Sequence, residues 1–246
     1  MNGKKEIVQL KNMSYSVGGH EIFTNVNETV YEEDIVFILG KSGMGKSAFL
    51  KLCAGLMYPA SGDIVIRGIS IPRATNEEIR GLHTMNGYVF QDCALISNMS
   101  VYENLELPLR YHAMYPLYEI HDIVMRWLER MNLTDDKDNR PAALSTGEQK
   151  LAAIARALIN RPSLLYMDEP MSSLDRFAFR KIIDIIQKLK ERRTTMLIVS
   201  HELELLKELG GRIWYIDENR IALSEDTSTK AIEDMPFFKE ALQKND

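Results

Sequence analysis

The 246-residue chain carries a net charge of −5 and is 45% hydrophobic, enough apolar material to bury a core in one large domain or two small ones. That charge excludes a broad nucleic-acid surface, whose affinity comes from clustered Lys and Arg; the run KLKERR at 188–193 reads as a solvated helix end. Apolar runs such as IVFIL (35–39) and MLIV (196–199) are far shorter than the roughly 18 residues of a membrane span, the N-terminal MNGKKEIVQL has no apolar signal region, and Cys53 and Cys93 lack paired spacing. A cytosolic chain with buried, reduced thiols is expected.

In chain order, EIVQLKNMSYSV, HEIFTNV and NETVYEE alternate in the manner of strands, and DIVFILG reads as a buried strand. GKSGMGKS follows as a loop, then AFLKLCAGL has helical spacing and stops near Gly55, and SGDIVIRGISI returns to strand. From about Ala94 to Leu158 the pattern is helical; in EIHDIVMRWLERM, residues Ile120, Ile123, Val124, Trp127, Leu128 and Met131 fall on one face. SLLYMDE and TTMLIVS are strands flanking the amphipathic helix FAFRKIIDIIQKLK. RIWYID and RIALSE form a hairpin across Asp217 to Asn219, and a short helix is expected at Met235 to Gln243. The reading is a single α/β domain: an α/β core from 1–91 and 159–225 that includes an N-terminal antiparallel β subdomain, an inserted α-helical subdomain at 92–158, and a C-terminal helical segment at 226–246.

Gly40, Lys41, Ser42, Gly43, Met44, Gly45, Lys46 and Ser47 satisfy G-x-x-x-x-G-K-[ST] between a buried strand and a helix that continues at Ala48. The glycines let successive N–H groups converge on phosphate oxygens, and the helix N-terminus adds its partial positive charge. Lys46 is placed to reach the β- and γ-phosphates and Ser47 to ligate Mg²⁺. SLLYMDEP delivers two carboxylates; strand alternation turns them to opposite sides, giving Asp168 to the Mg²⁺ shell and Glu169 to orienting the attacking water. Gln91 in YVFQD and His201 in IVSHE each follow a strand, at the edge where open α/β sheets bind ligands. Gln91 suits Mg²⁺ or the water, and His201 the γ-phosphate. His20, His83, His112 and His121 have no such setting and read as surface or helix residues.

The order GKSGMGKS, VFQD, LSTGEQ, LLYMDEP, SSLD (172–175) and VSHE resembles the ATP-binding subunits of ABC transporters along nearly the whole chain. The resemblance implies a P-loop NTPase core of RecA-like form, ATP and Mg²⁺ as ligands, and a head-to-tail dimer with a second copy. In it, Ser145, Gly147 and Glu148 face the nucleotide of the other subunit and Asp175 lines the dimer interface. Two departures stand in the signature: Thr146 replaces the usual Gly, which matters only if that position needs φ > 0, and Glu148 replaces the usual Gln. A carboxylate ~4 Å from a phosphate oxygen is repelled by about 4 kcal/mol at an effective dielectric of 20, so Glu148 is expected to turn towards the ribose or solvent. The usual adenine-stacking aromatic is absent at Val17, with Tyr15 two residues earlier as a substitute or a packing residue.

The segment DCALISNMSVYENLELPLRYH is too apolar for a plain loop, and the resemblance implies that a coupling helix of a membrane permease docks near 92–110. The stretch is most similar to Mla-type ATPases, which work with a permease and an MCE-domain lipid-binding protein to move phospholipid, and that implies a peripheral location on the cytoplasmic side of the inner membrane. ATPases of lipoprotein release and cell division share VFQD and VYEN, and a soluble assembly ATPase or a regulatory subunit that binds ATP without turning it over also fits the motifs. Cargo is chosen by other chains.

Overall fold

The computed structural model describes residues 4–112, 115–172 and 174–226, which divide into two compact units, one built from residues up to Ile79 and from Lys190 onward, the other from Arg80 to Leu189. The expected helix at Met235–Gln243, the 226–246 segment beyond Asp226, and Ser173 of the SSLD motif lie outside the described residues. No helix among the described residues is long and apolar enough to cross a membrane.

The first unit opens with an antiparallel sheet in the order β2-β1-β4-β5, formed by β1 (Glu6–Val17), β2 (His20–Tyr31), β4 (Ser61–Ile66) and β5 (Ile69–Ser70). HEIFTNV and NETVYEE are one strand here, because the break between them is a bulge and not a turn. Asn12 and Asn25 adopt φ of 48° and 51°, and the interrupted ladder is repaired by side chains: Asn12 N–H donates to Asn27 Oδ1 and Asn25 N–H to Ser14 Oγ. SGDIVIRGISI instead divides into β4 and β5 at Arg67 and Gly68, both left-handed.

Also in this unit, β3 (Ile35–Gly40) runs parallel to β8 (Thr195–Val199) on one side and β9 (Arg212–Asp217) on the other. β3 and β8 are buried along their whole length, which is why they read as continuous apolar runs. The β9–β10 (Arg220–Asp226) hairpin closes through Glu218 and Asn219, both at positive φ, where the sequence placed it. The helix α1 (Lys46–Cys53) packs Phe49 between Phe23 of β2, at 5.0 Å between ring centroids, and Trp214 of β9, at 5.9 Å. A short α7 (Leu203–Leu209) follows β8, and α2 (Asn76–Met85) begins where this unit ends.

The second unit pairs β6 (Asn86–Val89) in parallel with β7 (Leu164–Asp168). Its helices are α3 (Val101–His112), α4 (Leu117–Met131), α5 (Thr146–Leu158) and α6 (Arg176–Glu191). On α4 the expected stripe is buried at Ile120, Val124, Leu128 and Met131, with Ile123 and Trp127 half-buried at its margin. Burying each such side chain contributes about 1.5–3 kcal/mol. Gly87 of β6 allows close approach: a Cβ there would stand 2.6 Å from Ala157 O, so β6 and the end of α5 meet backbone to backbone. Cys53 and Cys93 are buried and not joined in a disulfide.

Candidate functional site

In the first unit, β3 delivers the chain into Gly40-Lys41-Ser42-Gly43-Met44-Gly45 with φ of 149°, 82° and 77° at the three glycines. Gly45 is required twice, by its left-handed φ and because a Cβ there would sit 2.9 Å from Ile22 Cγ2. α1 starts directly after it with no side-chain cap, so its first-turn N–H groups face the loop and can take an anion. Lys46 is 8% exposed, and its Nζ donates to Gly40 O and Lys41 O at 2.9 Å each, folding the ammonium over the strand end. His201 lies two residues beyond β8. Burial holds its imidazole below the ordinary value and the charge of Lys46 pushes it the same way, so it is neutral near pH 7.

In the second unit, Gln91 leaves β6 with an exposed side chain, and Asp168 is the last residue of β7, 4% exposed. Strand alternation does not separate Asp168 from Glu169 as the sequence suggested, because β7 stops at Asp168 and Glu169 is left-handed at φ 47°. Such a conformation costs a non-glycine residue about 1–3 kcal/mol and persists only where surrounding bonds impose it. Here Glu169 O accepts from Ser172 N–H at 3.3 Å, Ser172 Oγ at 3.0 Å and Lys150 Nζ at 3.3 Å.

The signature stretch LSTGEQ opens α5. Ser145 is its N-cap and Thr146 its first helical residue with ordinary φ, so the replacement of Gly there carries no backbone penalty. A Cβ on Gly147 would meet Ala178 Cβ at 3.3 Å and Asp175 Oδ2 at 3.5 Å, which gives this glycine a packing reason. Glu148 is half-buried and turns back onto the start of its own helix. Its Oε2 accepts from Ser145 N–H and from Ser145 Oγ, each at 2.8 Å, while Ser145 Oγ accepts from Glu148 N–H at 3.3 Å, a complete capping box. The S-x-x-E spacing allows this local solution. Asp175 caps α6, its Oδ1 accepting from Phe177 and Ala178 N–H at 2.8 Å each.

Within 92–110 the apolar residues Val101, Leu105 and Leu109 are core, while Ala94 is exposed and Leu95 and Ile96 are half-buried. Three residues that sequence reasoning passed over organise this segment. Arg156 donates to Cys93 O at 3.0 Å and Ala94 O at 2.8 Å, the carbonyls of two left-handed residues with φ of 63° and 44°. Asn104, fully buried, exchanges bonds with Ile96 N–H and O. Lys150, 1% exposed, reaches Gln91 O at 2.8 Å. The available signal was two cations inside the otherwise apolar run KLAAIARAL. Tyr15 is half-buried and Val17 is 54% exposed.

Among the described residues no three His, Cys, Asp or Glu side chains gather as a metal cage. Ser47 in the first unit, and Gln91 and Asp168 in the second, each carry a hard oxygen donor of the kind that Mg²⁺ takes beside waters and substrate phosphates.

The sequence profile of the family described as ABC transporter matches residues 23–172. The intermembrane phospholipid transport system ATP-binding protein MlaF of Haemophilus influenzae is 31% identical over 230 residues, 93% of this chain and 87% of that protein. The probable ribonucleotide transport ATP-binding protein mkl of Mycobacterium bovis is 30% identical over 96% of this chain, which spans 66% of that protein's length. Among solved structures, the dimeric ATP-binding cassette MJ0796 bound to ADP and Pi superposes with a TM-score of 0.82 at 30% identity, covering 89% of this chain and 98% of that one.

Proposed function

This chain belongs to the ABC transporter family and hydrolyses ATP as its ATP-binding subunit, and from that premise we propose that it drives phospholipid transport between bacterial membranes as a head-to-tail dimer. The observation that carries the cargo is the 31% identity to MlaF over 93% of the chain. Support for the dimer comes from the similarity to dimeric MJ0796 and from an α5 N-terminus whose Ser145 is exposed.

In this reading the loop from Gly40 to Ser47 cradles the phosphates, Lys46 neutralises the β- and γ-oxygens, and neutral His201 donates a hydrogen bond to the γ-phosphate. Glu169 orients the water for in-line attack. Ser145 and Gly147 of the second copy close over the γ-phosphate with the N-terminus of α5. Ser47, Asp168 and Gln91 hold Mg²⁺, which when bound supplies positive charge against the phosphate oxygens. The chain sits peripherally on the cytoplasmic face of the inner membrane, and a permease docks near 92–110, where Ala94, Leu95 and Ile96 retain exposed surface. An MCE-domain protein completes the system.

A pull-down of the tagged chain from detergent-solubilised native membranes tests this, with identification of copurifying proteins. Recovery of a permease together with an MCE-domain protein is expected. Recovery of a permease with a different cargo-binding protein sinks the phospholipid reading, and soluble companions alone favour an assembly ATPase.

A further inference from the structure

Lys150 is a buried ammonium whose hydrogen bonds among the described residues go to two carbonyls and to no carboxylate: Gln91 O at 2.8 Å and Glu169 O at 3.3 Å. A desolvated charge satisfied only by backbone is an expensive way to fill a core position, which a methionine would fill without the penalty. The two carbonyls belong to Glu169, proposed to orient the attacking water, and to Gln91, proposed to hold Mg²⁺. Glu169 is also the residue held left-handed at φ 47°, and Lys150 supplies one of the three donors on its carbonyl. Lys150 stands five residues after Ser145, so the turn of α5 that follows the capping box carries it.

We propose that Lys150 is a positioning residue that ties α5, and through it Ser145 and Gly147, to the backbone of Glu169 and Gln91. Engagement of the α5 N-terminus by the second copy's nucleotide then sets the carboxylate that orients water at this chain's own ATP. The inference rests on the proposed roles of Glu169 and Ser145. A displacement of α5 moves Nζ, and a backbone already in a strained conformation gives way first where its donor is withdrawn.

The test measures kcat for ATP and the Kd of a fluorescent ATP analogue on the full-length chain and its variants. Lys150→Met removes both donors at similar volume and is expected to lower kcat at least tenfold while moving Kd less than twofold. Lys150→Gln, whose shorter amide can donate again to one carbonyl, is expected to recover about threefold of that loss and to stay below about half of the wild-type kcat. Combining Lys150→Met with Ser145→Ala is expected to be no worse than about twice the poorer single variant, because both interrupt one route. A Lys150→Met kcat within twofold of wild type, a Kd that rises as much as kcat falls, or fully multiplicative effects with Ser145→Ala overturns the proposal. If Lys150→Met melts below the assay temperature, Lys150→Gln is compared with wild type directly, and an unchanged kcat overturns it. Glu169→Gln is run alongside: wild-type turnover in that variant overturns the role of Glu169 and this proposal with it, whereas its inactivity beside a fully active Lys150→Met overturns this proposal alone.

Discussion

Gly45 combines φ of 77° with a neighbour, Ile22 Cγ2, only 2.9 Å from where a Cβ would stand. Gly45→Ala is therefore expected to destabilise the chain by about 1–3 kcal/mol in urea unfolding, through the left-handed penalty and the displacement of β2; a loss below about 0.5 kcal/mol would show that the loop relaxes freely. His201 makes a pH prediction at the same scale. Burial and the charge of Lys46 lower its pKa in the folded chain below that in the unfolded chain, so between the two values the unfolded state binds more protons. Its contribution to stability is present above about pH 6.5 and is lost as pH falls through the folded value. Thermal midpoints taken at about pH 7 and about pH 5.5 should fall further in wild type than in His201→Gln. Equal falls would remove His201 from the acid response.

At the scale of the element, α5 joins two demands that compete for one hydroxyl. Ser145 Oγ donates to Glu148 Oε2 at 2.8 Å, and it must be released before it can donate to a phosphate of a second copy. A hydrogen bond to a charged group contributes roughly 1.5–3 kcal/mol, so the box restrains closure. Glu148→Gln keeps the box but removes the charge, and is expected to raise turnover at saturating ATP about tenfold, the factor that ~1.4 kcal/mol gives. Unchanged or slower turnover would mean that Glu148 does not restrain Ser145. Glu148→Ala, which abolishes the box, should lower stability by about 1 kcal/mol in the same unfolding assay. The capping box, unlike the helix it opens, escaped the sequence for a physical reason: repulsion sets Glu148 against a distant phosphate and not against the N–H and hydroxyl three residues back. The buried runs of β3, β7 and β8, by contrast, were legible because a strand covered on both faces has no polar register to conceal it.

At the scale of the molecule, the loop from Gly40 to Ser47 was readable from local spacing, whereas the proposed role of the α5 N-terminus drew on the resemblance to a family. Lys150 and Arg156 were not readable, because a cation inside a helical apolar run signals burial without naming the carbonyl, far away in sequence, that accepts from it. If α5 serves the ATP of a second copy, bound ATP is what joins two chains, and hydrolysis removes the joint. Glu169→Gln keeps volume and hydrogen bonding but cannot draw a proton from water, so this variant should bind ATP and stop there. Light scattering after size exclusion is expected to show Glu169→Gln as a dimer with ATP and Mg²⁺, as a monomer with ADP, and as a monomer in either nucleotide once Lys46→Ala is added. A dimer that forms equally with ADP would place the interface outside the nucleotide. A variant that remains monomeric with bound ATP would remove Ser145 and Gly147 from the site, and with them the route through Lys150.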